Sequence, residues 1–413
     1  MSDALSRGDE AGLAVAPTAR PALYTPAFIA ICAIMLLGFS SNYVIQAVLP
    51  ILVLARGGDA TLVGLIIAAF SFPSVVLRPF MGRLVDEWSQ RRVLAVGTGL
   101  MAVTGFAYLV PNLAAIFVNR IAHGSAWAAF STGANATLAR LAPAERRGEA
   151  SGVFNLMPGI AQMVMPALGL LLLGAFSTEG PFIASGVIGL AALAVAVFGP
   201  LPRSQPASRI EGTASALLDR GALLPMTIEF MFTSVSALFL VYPPVFAATH
   251  GIPVADLTLY YPAYGIALVL VRLLAGRVLD RVPRGVAIAA GTTVAILALG
   301  VAIVADSVPG LTVAGVLYAG ASGFTSPTTM ALAIDRANPR RMGAAMATYS
   351  LGFQLGLGVG AAVWGFLIDT VGYPGPYVGA IVLQVGLLAL LAASWRWLTT
   401  RPARAGSAGG PLE

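Results

Sequence analysis

Arg78-Pro-Phe-Met-Gly82-Arg83-Leu-Val-Asp86 returns 194 positions later as Arg272-Leu-Leu-Ala-Gly276-Arg277-Val-Leu-Asp280. Both copies read Arg-x-x-x-Gly-Arg-x-x-Asp at the end of a long apolar stretch. A charged side chain in hydrocarbon costs roughly 2.5–3.5 kcal/mol on insertion scales, so a cluster of this kind found twice points to duplication rather than chance. Arg146-Arg147 and Arg340-Arg341 recur at the same offset. The pattern predicts two similar membrane halves in tandem, an architecture found above all in transporters.

Composition argues against a soluble protein. Hydrophobic residues make up 58% of 413 positions and charged residues 10%, where a soluble domain carries about 25% charge. So little charge cannot keep an exterior polar, and the outer surface is expected to face the lipid bilayer. The net charge of +6 comes from 24 basic residues, all of them Arg. They gather in alternate connections between apolar stretches, which is the positive-inside pattern and not a nucleic-acid stripe. A chain without Lys has no Gly-x-x-x-x-Gly-Lys loop, which excludes a P-loop ATPase. One cysteine, Cys32, excludes an intrachain disulfide, and with only His123 and His250 beside it no metal site is expected. No nucleophile, metal or nucleotide constellation suggests an enzyme. The expected cofactor is none, with a proton gradient as the energy source.

Apolar stretches of about 20 residues mark transmembrane helices. They fall near 27–53, 61–81, 93–111, 113–138, 148–175, 181–201, 223–248, 256–279, 286–305, 309–334, 342–368 and 374–397. The fold class is therefore all-α, with twelve spans in two pseudo-symmetric six-helix bundles. The expected division is a cytoplasmic tail at 1–26, an N-terminal bundle at 27–201, a linker at 202–222, a C-terminal bundle at 223–397 and a tail at 398–413. The Arg-rich connections alternate with ones holding Asp59, Asp256, Asp306 and Asp369, so both termini are expected in the cytoplasm of a cell with an inner membrane. The polar start of the chain, with Pro17, Pro21 and Pro26, does not look like a cleaved signal.

Three local motifs carry a resemblance to the major facilitator superfamily, in its twelve-span, drug/proton-antiporter-like branch. The family's signature after span two, Gly-x-x-x-Asp-Arg/Lys-x-Gly-Arg-Arg/Lys, is similar to Gly82-Arg83-Leu-Val-Asp86-Glu87-Trp88-Ser89-Gln90-Arg91-Arg92. Glu87, Ser89 and Gln90 depart from it, and the second copy has Pro283 where the second Gly would stand. The resemblance implies that Gly82, Arg83, Asp86 and Arg91, with Gly276, Arg277 and Asp280, form a conformational lock at the cytoplasmic face. In span four Arg120-Ile-Ala-His123-Gly124 resembles Arg-x-x-Gln-Gly, implying a role for Arg120 in proton transfer. In span five Gly159, Pro166 and Gly169 partly match the antiporter pattern, with Met165 in place of its middle glycine. Gly352, Gly356 and Gly360 form a cleaner ladder in span eleven, suited to close helix packing.

Glu229 is the one acidic residue of its span, with Thr233 and Ser236 following on the same face. A carboxylate inside the membrane can be neutral in one state and ionised in another, as a proton carrier requires. A fixed ion pair with an Arg is the alternative. Arg120, too far along its helix to reach water easily, is expected to face a cavity rather than snorkel to the interface. His123, three residues on, shares its face and titrates near neutrality when free. Candidate cavity groups are Asn42, Gln46, Asn155, Gln162, Thr233, Tyr260, Tyr264 and Gln354. Each could equally bond between helices, and the tyrosines could belong to an interfacial belt.

The sum is a proton-coupled secondary transporter that works as a monomer and exports a small organic molecule by alternating access. Uptake by proton symport, or a non-transporting sensor on the same fold, are the alternatives. Span one carries no acidic residue, which disfavours a polyspecific cationic-drug substrate; Arg120 with amides and tyrosines suits a neutral, zwitterionic or weakly acidic one.

Overall fold

The computed structural model describes residues 22–110, 112–143, 146–202, 219–279, 282–337 and 342–399. Most of both expected tails and of the linker therefore lies outside the described residues. Within them every regular element is helical. The N-terminal half contains α1 (Pro26–Gln46), α2 (Val48–Ala55), α3 (Ala60–Val76), α4 (Arg78–Glu87), α5 (Gln90–Ala107), α6 (Leu113–Leu141), α7 (Arg147–Phe176) and α8 (Glu179–Phe198). The C-terminal half contains α9 (Leu223–Leu240), α10 (Pro243–Thr249), α11 (Tyr260–Leu279), α12 (Arg284–Val304), α13 (Val308–Arg336), α14 (Met342–Val371), α15 (Pro374–Ala393) and the short α16 (Trp395–Thr399).

Among the described residues nine stretches are long and apolar enough to cross a bilayer, and the bent pair α3–α4 makes a tenth. α5 and α6 have the length without the hydropathy. α5 opens on Gln90-Arg91-Arg92, and α6 carries Asn119, Arg120 and His123. Both are packed within the bundle, α5 between α6 and α8, and α6 against α3. With them the helices account for the twelve spans expected.

Three spans are broken, and proline places each break. Pro50 and Pro79 lack the N–H that would bond the carbonyl four residues back, at Gln46 and Val75. The chain accordingly interrupts at Ala47 between α1 and α2 and at Leu77 between α3 and α4, where it bends by 43°. Pro243 likewise orphans the Phe239 carbonyl, and the Tyr260 hydroxyl donates to it at 2.8 Å. The break at Ala47 and the one at Val241 are 194 residues apart. So are the helix-starting caps Thr25 and Asp219, and Gly57 and Gly251, both left-handed at φ +78° and +65°. The duplication read from the charge cluster is thus written in the backbone too.

The halves meet along two helix pairs, α3 with α14 and α7 with α11. A shift of 194 residues exchanges one pair for the other. Each pair approaches closely at small residues: a Cβ on Gly64 or Gly365 would collide with the carbonyl of Ala361 or Ala60, and one on Gly265 with the Met163 backbone. Within the C-terminal half the ladder of Gly352, Gly356 and Gly360 lies against the α9 carbonyls of Met226, Phe230 and Ser234. Large apolar side chains such as Val103, Val118, Phe198, Val304 and Val382 point outward, as helices facing hydrocarbon require.

A branched side chain in the ladder must push α14 from α9. Gly356→Leu is expected to destabilise the detergent-solubilised protein by about 1–3 kcal/mol, the usual cost of overpacking. Gly82→Ala, whose added Cβ meets open space, should leave the thermal midpoint unchanged in the same melts.

Candidate functional site

A cavity of about 340 Å³ lies between the two halves, a size suited to a small organic molecule. The N-terminal half contributes Asn42 and Gln46 from α1, Arg78 from the start of α4, Arg120 from α6 and Gln162 from α7. The other half contributes Thr233 from α9, Tyr264 and Arg272 from α11, Ser326 from α13 and Gln354 from α14. Aromatic rings of Phe39, Tyr43, Phe70, Trp127 and Tyr318 complete the wall.

Glu229 is fully buried immediately behind this wall. Its Oε1 accepts from Ser326 Oγ at 2.9 Å and from Thr233 Oγ1 at 3.1 Å, both from cavity-lining side chains. Its Oε2 has no hydrogen-bond partner among the described residues. Tyr349 buttresses the group by donating to the Ser326 carbonyl at 3.0 Å. One hydroxyl residue on each of α9 and α13 thus stands between the carboxyl and the cavity.

Arg120 is 3% exposed. Its guanidinium sits 4.8 Å above the Phe70 ring, and Nη1 donates to Tyr108 Oη at 3.4 Å. The same hydroxyl lies 3.1 Å from His123 Nδ1. Since Arg only donates, the Tyr108 oxygen accepts in that bond, and the direction of the Tyr108–His123 bond follows the imidazole tautomer. Arg120, Tyr108 and His123 thus form one chain. His123 is fully buried and does not line the cavity; Tyr108 links it to Arg120, which does.

Arg78 and Arg272 are the first residues of the two motif copies, and both line the cavity. Sequence reasoning named them as the start of the repeat but gave neither a role in the site. The signal to separate them was present: each stands four residues deeper in its span than the motif's Gly. Gln354, with its amide oxygen turned toward them, accepts from Arg78 Nη2 and Trp127 Nε1, each at 3.2 Å. Tyr108, Ser326 and Trp127 also went unread, since hydroxyls and rings are common in such helices.

Two expected cavity residues lie elsewhere. Tyr260 is fully buried beside Tyr261 and spends its hydroxyl on the carbonyl that Pro243 orphans. Asn155 bonds back to Ser151 O at 2.8 Å on the exposed face of α7. Arg91 does not reach toward the other half: its guanidinium donates to the carbonyls of Ala196, Val197, Gly199 and Leu201, closing the C-terminal end of α8. Arg83 is exposed and Gly82 borders open space. The side chains of Asp86, Gly276 and Arg277, and Asp280 altogether, lie outside the described residues. Gly159 packs near Val269, and Gly169 against the Val44 carbonyl. Pro166 lies inside α7 without breaking it.

The two ends of the molecule differ. At the end with the acidic loops, Asp369 on α14 accepts from Ala60 N at 3.2 Å and from Thr61 N and Oγ1 at 2.6 Å each, at the start of α3. The Tyr242 hydroxyl donates to the Ala361 carbonyl and lies 3.5 Å from that of Ala60. A carboxylate at a helix N-terminus is favourably placed, so this junction holds the halves together. At the Arg-rich end the two ion pairs among the described residues, Arg146–Glu149 and Arg284–Asp335, each stay within one half. The described contacts thus join the halves at the acidic-loop end, while no ion pair among the described residues joins them at the other.

The family profile of the Major Facilitator Superfamily matches residues 30–298 and 226–412. The chain belongs to this family: a membrane-embedded transporter, not an enzyme. It is 23% identical over 343 residues to an uncharacterized MFS-type transporter, MJ1560, of Methanocaldococcus jannaschii, covering 80% of this chain and 88% of that one. Shorter matches join it to two Staphylococcus aureus proteins. The staphylopine export protein is 24% identical over 42% of this chain and 43% of its own length. The quinolone resistance protein NorA is 23% identical over 36% of this chain and 39% of its own. In fold the chain is similar to a POT family transporter in complex with a thioalcohol-conjugated peptide, with a TM-score of 0.77, 12% identity and coverage of 90% and 96%. A D-xylose-proton symporter superposes with a TM-score of 0.75, 15% identity and coverage of 90% and 97%.

If Asp369 holds the acidic-loop end shut, removing it opens that end. In membranes of intact cells, Asp369→Ala should raise labelling of a cysteine placed at Leu240 by an impermeant thiol reagent several-fold. An unchanged rate would make the contact incidental.

Proposed function

We propose that this protein is a proton-coupled secondary transporter moving a small organic molecule across the inner membrane by alternating access. The observation that carries the reading is Glu229, a buried carboxyl with one free oxygen, bonded to two hydroxyls that line the cavity. Binding from the cavity rearranges Thr233 and Ser326, and with them the environment of the proton. That is the coupling a secondary transporter requires. Arg120, Tyr108 and His123 form a second polar chain on the opposite wall and serve as its relay in the N-terminal half. The Arg-rich end is assigned to the cytoplasm by the positive-inside rule, which makes this an inward-facing state with both termini cytoplasmic. In the outward-facing state the cluster around Asp86 and Asp280 would close the cytoplasmic end, as Asp369 closes the other now.

Export is the preferred direction, supported by the names of the staphylopine and quinolone relatives, which describe those proteins. Uptake is the second reading, supported by the absence of an acidic residue in span one, where a cationic drug would be exchanged for a proton.

Reconstituted vesicles with an imposed pH gradient separate these readings once a transported compound has been found by screening. Wild-type flux should follow the gradient, against the proton for export and with it for uptake. Glu229→Gln, which keeps the hydrogen-bonding volume and removes the titration, should reduce gradient-driven flux to background while retaining substrate binding. Flux indifferent to pH in the wild type would remove the proton from the mechanism.

A further inference from the structure

Three guanidinium groups, Arg78, Arg120 and Arg272, line the cavity, and no carboxylate lines it among the described residues. None of the three takes part in either described ion pair. Each has a buried Nε without a hydrogen-bond partner. Gln354 and Tyr108 are neutral and occupy one nitrogen each of Arg78 and Arg120. The remaining donors are held by neither protein oxygen nor counter-charge, and an unsatisfied buried charged donor is costly. Glu229 offsets one charge at most, and its Oε1 is engaged by Thr233 of α9 and Ser326 of α13.

We propose that the transported substrate is a small organic anion, whose carboxylate or phosphate oxygens bridge Arg78 of one half and Arg272 of the other. The assignment rests on the transport reading above, but cavity charge is measurable without any flux. The guanidinium fork matches a carboxylate or phosphate with two parallel hydrogen bonds, and such bonds are the strong ones. The aromatic wall of Phe39, Trp127 and Tyr318 suits an apolar or aromatic body. The positions of the two arginines are equivalent under the 194-residue repeat, so an anion held by both cross-links the halves across their pseudo-symmetry axis. With the site empty, like charges oppose closure of the cavity; with an anion bound, that repulsion becomes attraction.

The sign also bears on coupling. The ionisable groups around Glu229 are Arg272 from α11, Tyr318 from α13 and Tyr349 from α14, so its proton removes the one negative charge of this neighbourhood. A protonated Glu229 strengthens anion binding, which is the thermodynamics of moving proton and anion together, so an anionic substrate favours the uptake reading over export.

The test uses purified full-length protein with Cys32→Ser and one new cysteine, Ser322→Cys in the cavity or Gly152→Cys on the exposed face of α7 as control. Each thiol is titrated with an anionic and a cationic methanethiosulfonate of similar size. The anionic-to-cationic rate ratio at Ser322→Cys should exceed the control ratio by about tenfold, the lower range for electrostatic focusing in a charged cleft. Adding Arg78→Gln and Arg272→Gln should bring it back toward the control. A series of aliphatic and aromatic carboxylates and phosphate monoesters should slow labelling in the unmodified cavity, and choline and glycerol should not. A ratio at or below the control, or protection by choline or glycerol but by none of the acids, overturns the assignment, and the ratio decides even if the arginine variants fail to fold. Loss of flux in vesicles with the ratio intact would instead count against the transport reading alone.

Discussion

The cost of placing guanidinium groups inside an apolar bundle governs this structure. A cation in hydrocarbon must find a partner, water or another chain's dipole, and the helices here are arranged so that three arginines look into one shared space. Arg120 lies against the Phe70 ring and Tyr108. Arg78 reaches Gln354 across the divide between the halves. The cavity exists because these groups cannot be packed against Val and Leu. A ligand, a water-filled path or closure of the opposite face must satisfy them at each stage of a transport cycle.

Duplication separates what is architectural from what is particular to one half. Positions that match across 194 residues include the breaks at Ala47 and Val241, the left-handed glycines Gly57 and Gly251, and the cavity arginines Arg78 and Arg272. They set the shape of a half and give each half one cation. The positions that fail to match hold the remaining chemistry. Glu229 corresponds to Met35, and Arg120 corresponds to Ala314. A symmetric scaffold thus carries a buried carboxyl in one half and a hydrogen-bonded chain of Arg, Tyr and His in the other, so the two faces of the cavity differ in their chemistry.

The helical, duplicated, membrane-spanning fold was legible because each signal is a strong local one: apolar runs of spanning length, charge confined to alternate loops, and a motif repeated at a fixed offset. Part of the polar cavity was legible too, since Asn42, Gln46, Gln162, Thr233, Tyr264 and Gln354 are polar groups in apolar helices. The failures have physical causes. Tyr260 looks like a cavity hydroxyl until Pro243 is seen to leave a carbonyl that needs it. Asn155 satisfies its amide on its own helix, an option open to any Asn. Arg91 closes the end of α8, which depends on a tertiary contact some 105 residues away. Arg78 and Arg272 were found as the start of the repeated motif but given no role, although each stands one helical turn deeper than the motif's Gly.

The proposed alternating access is a rigid-body cycle in which one end opens as the other closes around the cavity. Double electron–electron resonance on spin-labelled pairs in the Cys32→Ser protein measures this directly. Ala55 with Thr249 reports the acidic-loop end, and Ala139 with Ile334 the Arg-rich end, across a range of pH in lipid nanodiscs. The account expects the two distance distributions to shift in opposite directions, one lengthening as the other shortens. Distances that stay fixed at both ends, or lengthen together, would contradict rocking of the halves about the charged cavity.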